Sequence, residues 1–551
     1  MVFTLMALML CGSLLPAAEF EKTYLKAKPE IVQQWRDRKF GLFIHWGPVS
    51  LKGTEIGWSR GDERRGRSGR GSIPVEIYDN LYKKFNPVKF NAREWIQVAQ
   101  NAGMKYLVFT SKHHDGFSMF DTQYSDYKIS NSPFKRDVVR ELADACHDAG
   151  LWLGYYYSPV DWYHPDYRTQ THEKYIRFMH RQLREICTKY GRIDIIWFDG
   201  LGGTAKDWDS DNLFKMIRDL QPNVIINNRA GLAADYDTPE QRIGSFQPTR
   251  PWETCMTICR QWAWKPNDRM KSLPQCLHTL IRVVGGNGNL LFNVGPMPDG
   301  RIEPRQVQRL KEMGDWLKQY GQTIYATRGG PFKPGSWGAS THKGNTIYLH
   351  LLDPENSPLV LPAIDKKILA SQVLTGGTAI VTQTNENIIV NVPPNSRRDI
   401  NTIIKLTLNG PAAEITPINI LSDSLTAGKN ANASNVYRKQ KAYGPDKAFD
   451  EDSSTRWATD AGTRQAWLEI DLEKPQTFNR ARIREAYGRV QNFELQYKIN
   501  NQWINILTGK KIGDDWSKTF KPVTAQHVRL NILQAADGPT IHEFQLFAPK
   551  K

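Results

Sequence analysis

Between residues 39 and 295 one rhythm repeats: a short apolar run breaks off on polar residues, and an amphipathic stretch with helical spacing follows. The runs read KFGLFIHWG, MKYLVFTSKHHDG, LWLGYYYS, IDIIWFDG, NVIINNRAG and NLLFNVGP. Between them lie stretches such as FNAREWIQVAQNAG, KRDVVRELADACHDAG and SDNLFKMIRDLQP. Uninterrupted apolar runs suit strands covered on both faces, and strand alternating with helix makes neighbouring strands parallel. The number of units favours a closed barrel over an open sheet, and no glycine-rich dinucleotide fingerprint follows the first strand. The predicted fold class is therefore α/β, a (β/α) TIM-like barrel followed by all-β structure.

The period changes after about residue 330. NTIYLHLLD, AIVTQTNENIIVNVP and IIKLTLNG read as short strands with turns, and a second all-β stretch follows the Pro-containing link NGPAAEITPIN. The expected organisation is a barrel over 19–330, a small β-sandwich over 331–415 and a β jelly roll over 420–551. Residues 1–18, apolar and ending in small residues, have the character of a signal peptide, which predicts a secreted or periplasmic protein. No other segment is apolar and long enough to span a membrane.

The net charge of +16 raises nucleic acid as a partner, but Lys and Arg are scattered. Their one dense run, SRGDERRGRSGRG at 59–71, has the Gly and Ser content of a solvated loop, so no nucleic-acid partner is expected. Five cysteines outside the first segment, without framework spacing, argue against a disulfide scaffold. Aromatic residues make up 11% of the chain, which suits ring-stacking ligands and large cores equally.

A barrel gives the strand ends a meaning, because such enzymes do their chemistry at the carboxyl rim. The polar residues there are His45, then Lys112, His113, His114 and Asp115, then Tyr157, Asp199, Arg229 and Asn293. Asp199 closes an otherwise apolar run, where a carboxylate needs neighbouring cations and donors to stay ionised. Two carboxyl groups flanking one sugar are the requirement for cleaving a glycosidic bond. Glu240 of DYDTPEQ and Glu253 of RPWETC are the candidate partners, and Trp46, Trp58, Tyr157 and Trp197 offer faces for a sugar ring.

FGLFIHWG, EIGWSRG, TSKHHDGF, YYYS, WFDG, NNR and LLFNVGPMPDG, in this order over residues 30–330, resemble the α-L-fucosidases of glycoside hydrolase family 29. The resemblance implies a retaining hydrolase of terminal α-L-fucose with Asp199 as nucleophile and no cofactor for catalysis. It matches His45, Glu55, Trp58, His113, His114, Tyr157 and Arg229 to substrate-holding positions. The acid/base is the family's least regular position; Glu240 is favoured over Glu253. WETCMTICRQWAW looks like the branch acting on α-1,3 and α-1,4 linkages, with Ala263 and Trp264 in place of a Gly-Tyr pair. Fucosylated oligosaccharides or glycoproteins are the implied partners.

Residues 420–551 resemble a discoidin-type (F5/8 type C) domain through KAFDEDSSTRWAT, AWLEIDL, HVRLNI and IHEFQLF. That resemblance implies a galactose-type glycan ligand and a structural Ca²⁺ held near Phe449, Asp452, Thr455 and Glu543. Three other functions remain open: an α-L-galactosidase on the same fold, a metal-dependent barrel hydrolase using His45, His113, His114 and Asp199, and a non-catalytic glycan-binding protein.

Overall fold

The computed structural model describes residues 23–61, 64–67, 69–353, 357–420, 424–451, 455–513 and 515–549. The signal-like segment lies outside these residues. Seven parallel strands form the first sheet: β1 (Phe40–Ile44), β2 (Tyr106–Lys112), β3 (Trp152–Tyr157), β4 (Ile195–Phe198), β5 (Ile225–Ile226), β6 (Glu253–Thr257) and β7 (Asn289–Val294). They run in the order β5-β4-β3-β2-β1-β7-β6. Every strand residue is buried, as expected where helices cover one face and a barrel interior the other.

The two edges, β5 and β6, do not pair directly. Residues 236–240 lie between them, bridging Asn227 to Tyr236 on one side, and Asp237 to Trp252 and Glu240 to Cys255 on the other. This irregular stave closes the barrel and, at its far end, brings Glu240 to the carboxyl rim beside β6.

Two cores result from the alternation of side chains along each strand. Phe43, Tyr106, Val108, Tyr156, Ile195, Trp197, Ile225, Cys255 and Leu291 fill the interior, while Leu42, Leu107, Tyr155, Tyr157, Ile196 and Phe198 pack against the helices. Gly41 makes room inside: a Cβ there would sit 2.3 Å from the Tyr106 ring. The helices begin where their caps demand. Asn91 and Asp137 accept backbone N–H bonds at the starts of Ala92–Asn101 and Val138–Asp148, and Ser272 with Gln275 forms a reciprocal box before Leu273–Gly285.

Beyond the barrel, a five-stranded antiparallel sheet drawn from Arg328–Leu408 and a three-stranded sheet between Leu359 and Asn391 enclose their own apolar core. A further antiparallel assembly spans Ala431–Phe547 around a separate core that includes Trp457, whereas Trp467 is only half-buried. Among the described residues no helix is long and apolar enough to cross a membrane.

Candidate active site

Asp199 follows β4 directly, and its two carboxylate oxygens have different partners. Arg229 Nη1 donates to Oδ1 at 3.1 Å, and the Tyr156 hydroxyl donates to Oδ2 at 3.1 Å. Gly200 permits this geometry because the backbone crowds there. Its N–H bonds the Arg229 carbonyl at 2.9 Å, and a Cβ would approach that oxygen to 2.6 Å.

Arg229 is fixed by its whole fork. Nε donates to Thr238 Oγ1 at 2.7 Å, Nη2 to the Thr238 carbonyl at 2.9 Å, and Nη1 also reaches Glu240 Oε2 at 2.8 Å. Its guanidinium lies 4.7 Å over the Trp197 ring. Burial works against its charge, but Asp199, with further help from Glu240, outweighs that and holds its pKa above the usual arginine range.

Asp199 and Glu240 therefore share one nitrogen, at 3.1 and 2.8 Å, and their nearest oxygens lie within about 6 Å of each other. The Glu240 side chain is 42% exposed and faces the open rim.

Glu253 does not share this rim. It opens β6, opposite Asn289 at the start of β7, and so lies at the amino-terminal end of the barrel. It is fully buried, accepting from the Tyr106 hydroxyl at 2.6 Å and from Trp197 Nε1 at 3.1 Å. Burial pushes its carboxyl up to about 8 despite those two donors. The geometry removes it from contact with a rim-bound substrate, so that of the two candidate acids Glu240 is the one at the rim.

Tyr157 is a second correction. Tyr155 and Tyr157 point to the helices, where the Tyr157 hydroxyl donates to Gln182 Oε1 at 2.8 Å and Lys112 Nζ lies 4.7 Å over its ring. Tyr156, one residue earlier, faces the interior and contacts Asp199. Its ring stacks on His113 at 5.3 Å and on Trp197 at 5.6 Å. Lys112 likewise turns outward to an ion pair with Asp161 at 3.1 Å, away from the rim constellation.

Three histidines line the rim as neutral rings. Burial lowers His45 to about 3, with the Asn293 bond opposing and His114 adding to the shift. Burial, then neighbouring cations, carry His114 well below its ordinary value. Hydrogen bonding fixes the tautomer of His45. Asn293 Nδ2 donates to the Trp262 carbonyl, so its Oδ1 accepts from His45 Nδ1 at 2.7 Å. His114 Nδ1 is hydrogen-bonded with Ser158 Oγ at 2.6 Å. His45 Nε2 is then a bare acceptor for a hydroxyl group, and the 3.5 Å approach of the neutral His114 Nε2 to Asp199 is not a salt bridge. His113 packs between His45 and His114, and Gly57 at φ +67 leaves room for it, since a Cβ there would sit 2.8 Å from Nδ1.

Of the aromatic faces expected from sequence, Trp58 stands at the rim, edge-on to His114 at 5.6 Å and to Trp162 at 5.2 Å. Trp197 is the floor beneath Arg229 and Tyr156, 1% exposed. Trp46 points outward, packed on Phe85, Phe90 and Trp95. Glu55 accepts from the backbone N–H groups of Trp262 and Ala263 at 3.0 and 3.1 Å, so it clamps the loop after β1 to the loop after β6. Its pKa is raised by burial, against those bonds. The clamp sets Trp262, unremarked in the sequence, 4.7 Å from His45.

In the C-terminal assembly Glu543 is buried on the strand Thr540–Phe547, Phe449 is buried, and Thr455 Oγ1 donates to the Asp450 carboxylate. Asp452 lies outside the described residues. Among those described, no group of three or more His, Cys, Asp and Glu side chains gathers as a metal cage.

A parallel barrel with paired carboxylates over one arginine at its carboxyl rim defines a glycoside hydrolase. The family model for alpha-L-fucosidase matches residues 8–322, and that for the F5/8 type C domain matches 430–544. Plasma alpha-L-fucosidase of Pongo abelii is 30% identical over 398 residues, spanning 64% of this chain and 84% of that protein. Among solved structures, alpha-L-fucosidase isoenzyme 1 from Paenibacillus thiaminolyticus superposes with a TM-score of 0.63 at 36% identity, covering 69% of this chain and 99% of that one. A GH29 alpha-L-fucosidase from Bacteroides thetaiotaomicron, trapped as a covalent intermediate with 2-fluoro-fucosyl fluoride, has a TM-score of 0.63 at 27% identity and covers 70% and 97%. The chain belongs to the alpha-L-fucosidase family of glycoside hydrolases.

Proposed function

We propose that the protein removes terminal α-L-fucose from glycans by double displacement, with Asp199 as nucleophile and Glu240 as acid/base. The observation that carries this is the pairing of the two carboxylates on Arg229 Nη1. In the first step an Asp199 oxygen attacks C1 while Glu240 protonates the departing glycosidic oxygen. In the second, Glu240 takes a proton from water, which attacks C1 and frees Asp199. Arg229 and Tyr156 hold the attacking carboxylate from both oxygens, and the bare Nε2 of His45 accepts a sugar hydroxyl. Trp58 and Trp262 supply the apolar surface a 6-deoxy sugar needs at its methyl group. The covalent intermediate described for the Bacteroides relative supports this route. Proton NMR during hydrolysis tests it: α-fucose should appear first and then mutarotate, and first-formed β-fucose would overturn it.

The stretch WETCMTICRQWAW supports action on α-1,3 and α-1,4 linkages, which a panel of fucosylated oligosaccharides of defined linkage decides. The discoidin-like domain is read as binding galactose-type glycans, and the signal-like start as directing secretion or passage to the periplasm. A structural Ca²⁺ would take oxygens around Phe449, Thr455 and Glu543. The Phe449 and Thr455 carbonyls already accept one hydrogen bond each, from Gly428 N and His542 Nδ1, which leaves each a second lone pair for a cation. A fall in unfolding temperature with a chelator, reversed by calcium, tests that site.

A further inference from the structure

The basic run at 59–71 is more than a solvated loop. Arg65 donates to the carbonyls of His164 and Pro165 in the loop after β3, at 2.6 and 2.8 Å, and Arg67 donates to the carbonyl of Leu201, two residues beyond Asp199, at 2.7 Å. Arg64 donates to the Trp58 carbonyl and lies 5.1 Å over the Trp58 ring and 5.6 Å over that of Trp162. Arg64, Arg65 and Arg67 therefore lie against the loops at the mouth of the barrel, and two chains of contacts lead from them to Asp199. One passes through Leu201, the other through Trp58 and His114.

Among the described residues, the arginines of this run stand without the carboxylate partners that Arg229 has. Arg229 is matched by Asp199 and Glu240, and the rim histidines are neutral. Among the described residues Arg64, Arg65 and Arg67 pair with no carboxylate and donate only to carbonyl oxygens. Arg67 uses one of its five donors this way and is otherwise open to solvent. A planar guanidinium with free donors is the side chain best suited to a bidentate oxyanion.

We propose that Arg64 and Arg67 form an anion subsite at the mouth, selecting fucosyl glycans that carry an oxyanion, a sulfate ester or a carboxylate, on a neighbouring sugar. This rests on the fucosidase reading and adds a substrate class to it. The two arginines would hold the charged substituent of the neighbouring sugar.

The test compares three fucosyl oligosaccharides of one linkage, with the neighbouring sugar neutral, sulfated or bearing a carboxylate, and an aryl fucoside as reference. At low salt kcat/KM for at least one anionic substrate should exceed the neutral one by about tenfold, an advantage that shrinks as salt screens the contact. The arm that gains identifies the oxyanion. Arg64→Gln/Arg67→Gln should abolish the advantage, and Arg64→Lys/Arg67→Lys should restore part of it, which separates lost charge from a disturbed loop. Equal rates on all three oligosaccharides beside normal aryl-fucoside turnover would overturn the subsite and spare the fucosidase reading. Retention of the advantage in the Gln variant would overturn the assignment to these arginines. No turnover of any substrate by the wild type would overturn both.

Discussion

Asp199 and Glu240 face each other across a single nitrogen, Arg229 Nη1, which lies 3.1 Å from one carboxylate and 2.8 Å from the other. One cation thereby sets the spacing of both acids, and Thr238 fixes that cation through both its hydroxyl and its carbonyl. Asp199 is also hydrogen-bonded by the buried Tyr156, whereas Glu240 has an exposed side chain with access to a leaving group and to water. This asymmetry divides the two roles.

A general acid matters in proportion to how poor the leaving group is. Glu240→Gln should nearly stop hydrolysis of a fucosyl-sugar linkage and slow the first step on an aryl fucoside with an acidic phenol much less. Steady-state and burst kinetics on the two substrates check this. Equal losses on both would remove Glu240 from the role.

Tyr156 and Tyr157 should separate cleanly. Tyr156→Phe removes the donor to Asp199 Oδ2 and is expected to cut kcat on the order of 10-fold to 100-fold with little change in thermal stability. Tyr157→Phe strips the partner from the buried Gln182 Oε1, which should cost about 1–2 kcal/mol of stability while kcat stays within about twofold. Rate measurements beside thermal unfolding distinguish the pair.

Glu253 should affect stability with a defined pH dependence and leave the chemistry alone. Burial raises its folded carboxyl from an ordinary 4.5 to about 8, so the folded state prefers the neutral acid. Below about pH 4.5 both states are protonated and no penalty exists. As pH rises from there to about 8 the unfolded state gains by ionising, and the wild type loses up to roughly 5 kcal/mol from this one group. Glu253→Gln should therefore unfold near the wild-type temperature at pH 4.5 and above it at pH 8. An identical pH profile for both proteins would show that Glu253 is not held neutral.

Much of this site was legible in the chain because strand ends are legible. A run such as IIWF that stops on Asp199 and Gly200 marks a carboxyl rim by polarity alone, and NNR does the same for Arg229. Parity was not legible. Three consecutive tyrosines in a strand buried on both faces carry no polarity to say which one points inward, so Tyr157 drew the attention that Tyr156 merits. The end of the strand was equally hidden for Glu253, since RPWETC reads alike whether its acid opens or closes β6. The clamp of Glu55 on Trp262 and Ala263 joins residues more than 200 positions apart, a pairing no local pattern encodes. The segment 236–240, which fills the gap between β5 and β6, carries no strand pattern that would have announced it.

The central claim is that Asp199 becomes covalently attached to the sugar, and labelling tests it most directly. Incubation with 2-fluoro-fucosyl fluoride, whose fluorine slows the second step, should add one fluorofucosyl mass to the intact protein. Peptide mass spectrometry should place it on Asp199, and Asp199→Ala should take up none. An unlabelled protein that still turns over fucosides, or a label carried by Glu240, would contradict the account.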